Sequence, residues 1–160
     1  MRLLVISDSH KRGDIVDRII NREDSARHIF FLGDVTADIE DFVYEYTDRT
    51  FHIVSGNCDF FSSYPSVSME KIAGHSILYA HGHTYGVKEG LTAICEAAKE
   101  RGCDIVLYGH THKSDYFTED NIIVMNPGSI TRPRNDTFSF GVFEIENDTL
   151  SGCVCPADGY

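Results

Sequence analysis

The feature that most restricts how this chain can fold is a pattern met six times. A short apolar, largely β-branched run stops abruptly at Gly, Asp, Asn or His: "LLVISDSH" (3–10), "IFFLGD" (29–34), "FHIVSGN" (51–57), "ILYAHGH" (77–83), "DIVLYGHTH" (104–112) and "IIVMNPGS" (122–129). Apolar runs of four or five with no polar alternation suit strands covered on both faces, as in parallel sheets. Between several of them lie stripes at helical spacing. Ile15, Val16, Ile19 and Ile20 form one; Ile39, Phe42, Val43 and Tyr46 a second; Leu91, Ile94, Cys95 and Ala98 a third, ended by Gly102. Strands alternating with helices imply parallel βαβ crossovers.

The rest alternates and turns. Segments 67–79, 114–125 and 137–155 read as hairpins, with turns near Gly74–His75, at Glu119–Asn121 and at Asn147–Asp148. A βαβ half joined to a hairpin-rich half implies two packed sheets flanked by helices. A length of 160 residues, 42% hydrophobic and 24% charged, fits a single domain spanning 1–160 with a real core. No linker, repeat or low-complexity tract interrupts it.

Net charge is 14 − 25 = −11, which argues against nonspecific nucleic-acid binding. It leaves room for a small anionic substrate if bound cations supply the local field. The early apolar run "LLVI" (3–6) is far too short for a signal-peptide core or a membrane span, so a cytoplasmic protein is expected, with no membrane partner. Five cysteines, Cys58, Cys95, Cys103, Cys153 and Cys155, form no even framework and fit reduced thiols. Cys153 and Cys155 read as strand residues.

In open α/β sheets, ligands gather outside the carboxyl ends of the strands. Here those ends carry Asp8 and His10, Asp34, Asn57, His81 and His83, and His110 and His112. Each has a bland explanation. Asp8 and Asp34 could cap the helices that follow, Asn57 could serve a left-handed turn, and His110 and His112 could be exposed loop residues. All of these must hold independently, whereas one metal centre accounts for the set. His28 and His52 read as edge or core residues and His75 as a turn residue; none receives a function.

These residues also resemble a known family. "SDSH", "GD" (33–34), "GN" (56–57), "HGH" (81–83) and "GHTH" (109–112) follow the order of motifs in the calcineurin-like metallophosphoesterase superfamily, and "NPGS" (126–129) extends the match. The short length, "GNCD" and "NPGS" are similar in particular to its small phosphodiesterase branch, which also holds the retromer subunit of the same fold. The resemblance implies an α/β fold of α+β character, a four-layered αββα sandwich with two mixed β-sheets. It implies two divalent metals, the first held by Asp8, His10 and His112, the second by Asn57, His81 and His110, with Asp34 bridging. Asp34, Asn57 and His81 would also be catalytic. Manganese is the first expectation, with iron, zinc, nickel or cobalt compatible with the same N/O donors. The implied activity is hydrolysis of phosphodiester or phosphomonoester bonds of a small molecule, through a binuclear centre and a bridging hydroxide.

The chain departs from much of the superfamily at Cys58, where a histidine usually follows the asparagine and protonates the leaving group. A thiol donates poorly, so slow turnover of poor leaving groups is expected. Asp59 and His83 are alternative acids, or supports of a ligand. In "NPGSITRPR" (126–134), Ser129, Arg132 and Arg134 are candidates for phosphate contact, against a plain solvent-facing turn. "DFFSSYPS" (59–66) suits either a pocket wall or a subunit contact. The other function class is a non-catalytic protein-binding scaffold of this fold, and complete ligands argue for the enzyme. A homodimer is implied by resemblance alone.

Overall fold

The computed structural model describes residues 1–135, 137–147 and 149–157. Two five-stranded mixed sheets form its centre. The first contains β1 (Arg2–Ile6), β2 (Ala26–Phe31), β3 (Thr50–Ile53), β9 (Ser139–Glu146) and β10 (Thr149–Pro156), in the order β10-β9-β1-β2-β3. β1, β2 and β3 run parallel, while β9 is antiparallel to both β1 and β10. The second contains β4 (Val67–Ile72), β5 (His75–Ala80), β6 (Ile105–Tyr108), β7 (Ser114–Glu119) and β8 (Ile122–Pro127), in the order β4-β5-β6-β8-β7. β5, β6 and β8 are parallel, with β4 and β7 antiparallel at the two edges.

The unbroken apolar runs have the expected cause. In β1, Leu3 and Val5 face the space between the sheets, where they meet Phe30, Leu32, Tyr79, Leu107 and Met125. Leu4 and Ile6 face the other way, onto Ile15, Val16, Ile19 and Ile20 of α1 (Gly13–Arg22). Leu78, Ala80, Val106 and Val124 face outward from the second sheet onto Ile94 and Ala98 of α3 (Thr92–Glu100). Three apolar layers between four structural layers give the αββα sandwich.

Two readings need correction. The stripe Ile39, Phe42, Val43 and Tyr46 yields one helical turn, α2 (Phe42–Glu45), after a 3-10 turn at Thr36–Asp38. No residue of α2 is buried, so the segment lacks the packing that sustains a longer helix. His75 opens β5 instead of sitting in the turn, and its Nδ1 lies 2.6 Å from an Asp104 carboxylate oxygen. That first hairpin turns at Ala73 and Gly74, both at positive φ, and the second at Asp120 and Asn121, also positive, as two-residue hairpin loops require. In the third, Asn147 has positive φ and the Asp148 half of the turn lies outside the described residues.

Candidate metal centre

The ends of β1, β2 and β3 meet those of β5, β6 and β8 along one edge of the sandwich. Contacts across the sheets fix this junction. His81 Nδ1 lies 2.8 Å from the Leu32 carbonyl, the Ser129 hydroxyl donates to the Asp8 carbonyl at 2.8 Å, and the His110 amide reaches Asp8 Oδ2 at 3.3 Å.

The backbone there is bent hard. Asp8, His10, Asp34, His110 and His112 all have φ between 45° and 67°. Non-glycine residues adopt this region at a cost, and it persists only where the surroundings over-determine it. Asp59 is the main clamp: its carboxylate accepts from the backbone N–H groups of Asp34, Val35, Thr36 and Gly56 at 2.7–3.0 Å. Asp38 does the same for Lys11 and Arg12, at 2.8 and 3.1 Å, and also accepts from the Ser9 hydroxyl. Glycine is needed at 56 and 109 because a Cβ would lie 2.2 Å from Asp34 Oδ1 and 2.1 Å from Ser7 Oγ. The alternative role of Asp8 as a helix cap is absent, since Arg12 is the N-cap of α1 and makes no side-chain cap bond.

Two sets of donors result. In the first, His112 Nε2 lies 3.1 Å from Asp8 Oδ1 and 3.3 Å from His10 Nε2, which is itself 3.9 Å from Asp34 Oδ2. Asp8, His10, Asp34 and His112 each place one atom within 4.8 Å of the others. In the second, His81 Nε2 lies 3.1 Å from His110 Nδ1, 3.2 Å from Asn57 Oδ1 and 3.5 Å from Asp34 Oδ1. Asp34 therefore presents one oxygen to each set.

The ring tautomers suit this arrangement. His81 and His112 donate Nδ1–H to the carbonyls of Leu32 and Arg132, at 2.8 and 2.7 Å. The free Nε2 of each then carries a lone pair into the cluster. Burial holds the protonation of His110 down to about 4, helped by the charges of His81 and Lys88, and burial likewise lowers His10. His112 is raised, chiefly by Asp8. Burial pushes the Asp8 carboxyl up, but His112, His81 and the Ser7 hydroxyl outweigh it and leave a carboxylate. Its Oδ1 is buried without a hydrogen-bond donor. Lone pairs converging beside a buried carboxylate oxygen that lacks a donor are the surroundings a cation satisfies. The donor set fits a divalent metal.

The motif order, the fold and this convergence all lead to one family. The model of the calcineurin-like phosphoesterase superfamily domain matches residues 1–148. The chain belongs to this superfamily. A probable metallophosphoesterase of Bacillus subtilis, YsnB, is 30% identical over 153 residues, covering 94% of this chain and 88% of the relative. A solved structure of a predicted phosphoesterase from Streptococcus pneumoniae TIGR4 superposes with a TM-score of 0.86 at 27% identity, covering 98% of this chain and 90% of that one. The vacuolar protein sorting-associated protein 29 of Schizosaccharomyces pombe is 29% identical over 144 residues, 84% of this chain and 75% of that protein. Metallophosphoesterases use divalent metals, and among the described residues this one has a ligand cluster able to hold them.

The remaining candidates divide. Cys58 lies at the second set: its amide donates to Asp34 Oδ1 at 2.9 Å and its thiol to Asp34 Oδ2 at 3.3 Å. Burial, reinforced by that bond to Asp34, pushes the thiol up to about 11. His83 rests against His81 and His110, ring centroids 5.4 and 6.1 Å away, and its Nδ1 is buried without a partner. Ser129 is a loop clamp, its oxygen accepting from the amides of Thr131 and Arg132 while its hydroxyl holds Asp8. Arg132 is exposed near His10 and lends its carbonyl to His112. Asp59 spends its carboxylate on four backbone amides. Sequence reasoning missed Ser7, Asp38 and Asn126. Asn126 is buried and bonds the Gly109 carbonyl and Thr111 hydroxyl at 3.1 and 3.0 Å, which shapes the "GHTH" loop. Only the quoted "SDSH" and "NPGS" pointed at two of these; Asp38 carries no pattern.

Proposed function

We propose that this protein is a binuclear metal-dependent phosphodiesterase acting on a small molecule. The observation that carries the reading is Asp34, whose two carboxylate oxygens face two separate donor sets, Asp8/His10/His112 and Asn57/His81/His110. A carboxylate so placed can bridge two ions, and all seven expected positions hold competent ligands. When bound, a divalent pair supplies positive field for a phosphate ester and an activated hydroxide at neutral pH. The protein's part is to hold the donors: Leu32 and Arg132 fix the tautomers of His81 and His112, and Asp59 holds the backbone of Asp34. Manganese is the first choice of metal, and iron, zinc, nickel or cobalt suit the same nitrogen and oxygen donors.

Cys58 stands beside Asp34 as a neutral thiol, a weak acid for protonating an alkoxide. Esters with good leaving groups are therefore the fast substrates, and alkyl diesters are slow. Among the described residues no helix is long and apolar enough to cross a membrane, and a cytoplasmic site of action is part of the proposal. A second reading, a protein-binding scaffold, is favoured by one surface feature: Phe60 and Phe61, beside the site, are 85% and 103% exposed.

The test is to strip the protein with chelator and follow bis-(p-nitrophenyl) phosphate and p-nitrophenyl phosphate. Mn²⁺, Ni²⁺, Zn²⁺ and Mg²⁺ are added back singly, with Asp34→Asn and His81→Ala alongside. Diester hydrolysis restored by metal and lost in both variants supports the phosphodiesterase. A folded protein inert with every metal moves the scaffold to first place.

A further inference from the structure

Behind the "GHTH" loop lies a second cavity of about 480 Å³, within the range of small-ligand sites. The loop is their shared wall. His110 and His112 face the metal cluster, while Tyr108, Thr111 and Lys113 line the cavity. Three of the loops around the metal centre each send one cation here. Lys88 follows the "HGH" loop, Lys113 follows "GHTH", and Arg134 follows the Ser129–Arg132 turn, its amide held by the His112 carbonyl at 2.9 Å. Lys88 is near enough for its charge to be felt at His110.

Four cations elsewhere, Arg2, Arg12, Arg27 and Lys99, each meet a carboxylate within 2.8 Å. Among the described residues, Lys88, Lys113 and Arg134 have no such partner, in a chain of net charge −11. Against their three charges the cavity lining offers one carboxylate, Asp115. An excess of about two positive charges matches a phosphate monoester, which carries roughly −1.5 to −2 at neutral pH. The floor is apolar, made by Val87 and the ring of Tyr108, and suits the carbon frame that such a phosphate would sit on.

We propose that this cavity binds a second phosphate group carried by the substrate, so that the natural substrate is a phosphodiester bearing a separate phosphate monoester. The inference rests on the phosphodiesterase reading of the neighbouring site and narrows its substrate class. Lys88, Lys113 and Arg134 are specificity determinants; none touches the reacting phosphorus.

The experiment compares thymidine 5′-(p-nitrophenyl phosphate) with its 3′-phosphorylated form, in metal-loaded wild-type protein and in Lys88→Ala/Lys113→Ala/Arg134→Ala. In the wild type, kcat/KM is expected to favour the phosphorylated substrate by roughly tenfold or more, weakening as salt is raised. In the triple variant the preference disappears while the rate on the unphosphorylated diester is unchanged. Equal rates on both substrates in the wild type overturn the inference and leave the phosphodiesterase intact. Inhibition by added inorganic phosphate, relieved in the triple variant but with no preference between substrates, also overturns it and assigns the cavity to a free anion. If neither substrate is hydrolysed with any metal, the phosphodiesterase reading has failed separately. Calorimetric titration of metal-free protein with adenosine 3′,5′-bisphosphate then decides the cavity: binding lost in the triple variant keeps the phosphate site, and no binding removes it.

Discussion

Two groups of histidines lie in this fold, and they differ in everything except residue type. At the strand ends, His10, His81, His110 and His112 surround two buried carboxylates, Asp8 and Asp34. Between β2 and β3, His28 and His52 pair with each other, Nδ1 to Nε2 at 3.1 Å. The His52 ring stacks on Phe30 at 4.5 Å and meets the edge of Tyr79. Its nearest carboxylate, Glu70, is 4.0 Å away and half exposed. Burial therefore acts without compensation and drives His52 down to about 4. In the strand-end group Asp8 stays a carboxylate and two rings have one nitrogen tied to a backbone carbonyl. Histidines in contact do not make a site; buried anions and pinned tautomers do.

The sharpest way to break this contrast is Asp34→Asn, which removes the one oxygen pair shared by both donor sets. Loss of an outer partner of a ligand already costs ten- to hundredfold. Asp34→Asn is expected to lower metal-restored diester hydrolysis by more than about a hundredfold. His52→Phe is expected to leave that activity within about twofold. Parallel assays on refolded, metal-loaded protein check both, and comparable losses would erase the distinction.

The second test uses acid. The folded value of His52, about 4, lies below its ordinary value of 6.5, so the unfolded chain binds the extra proton first. Stability from this group is complete above pH 6.5 and falls as pH drops toward 4. The whole effect is roughly 3 kcal/mol at most. Urea unfolding between pH 7 and 4 should show a shallower decline in His52→Phe than in the wild type. Matching slopes would mean that His52 takes up its proton as readily folded as unfolded.

Next is Asp59→Asn. An amide keeps one acceptor oxygen and turns an N–H₂ toward backbone N–H groups that need acceptors. A loss of about 1–3 kcal/mol in unfolding free energy is expected, with weaker metal binding, because the bend at Asp34 loses its clamp. Calorimetry of unfolding and metal titration measure the two. Unchanged metal affinity would mean that Asp34 is placed without Asp59.

The smallest effect is at Cys58. Cys58→His restores a ring where much of the superfamily has one, and general acids contribute most when the leaving group is poor. A gain of roughly tenfold on an alkyl phosphodiester, with little change on the p-nitrophenyl ester, is expected from steady-state rates. An unchanged alkyl rate would show that the acid lies elsewhere, with His83 the group nearest to hand.

Much of the fold was legible because its cause is local. Runs such as Leu3–Ile6 are apolar at every position because both faces of β1 are covered, and Ile15, Val16, Ile19 and Ile20 repeat at the period of a helix. The stripe at Ile39–Tyr46 misled because periodicity records which residues are apolar and says nothing of how deeply they are covered; Phe42, Val43 and Tyr46 lie against the core beside α1 only partly buried. The donors were legible too, since each directly follows a strand and strand ends gather at one edge. What pairs with what was not. Ser129 looked like a phosphate contact because a hydroxyl beside arginines suits one, yet it holds the Asp8 carbonyl 121 positions away in sequence.

The sequence by itself thus determined the strand runs, most of the turns, the family and the polar residues that gather at the strand ends. Only the tertiary structure decided that Asp34 faces both donor sets, that Leu32 and Arg132 set the tautomers, that Asp59 and Ser129 serve the backbone, and that Lys88, Lys113 and Arg134 share one cavity. The physical reason is range. Propensity and patterning act over a few residues, whereas hydrogen bonds and charges act over a few ångströms between segments that only the folded chain brings together.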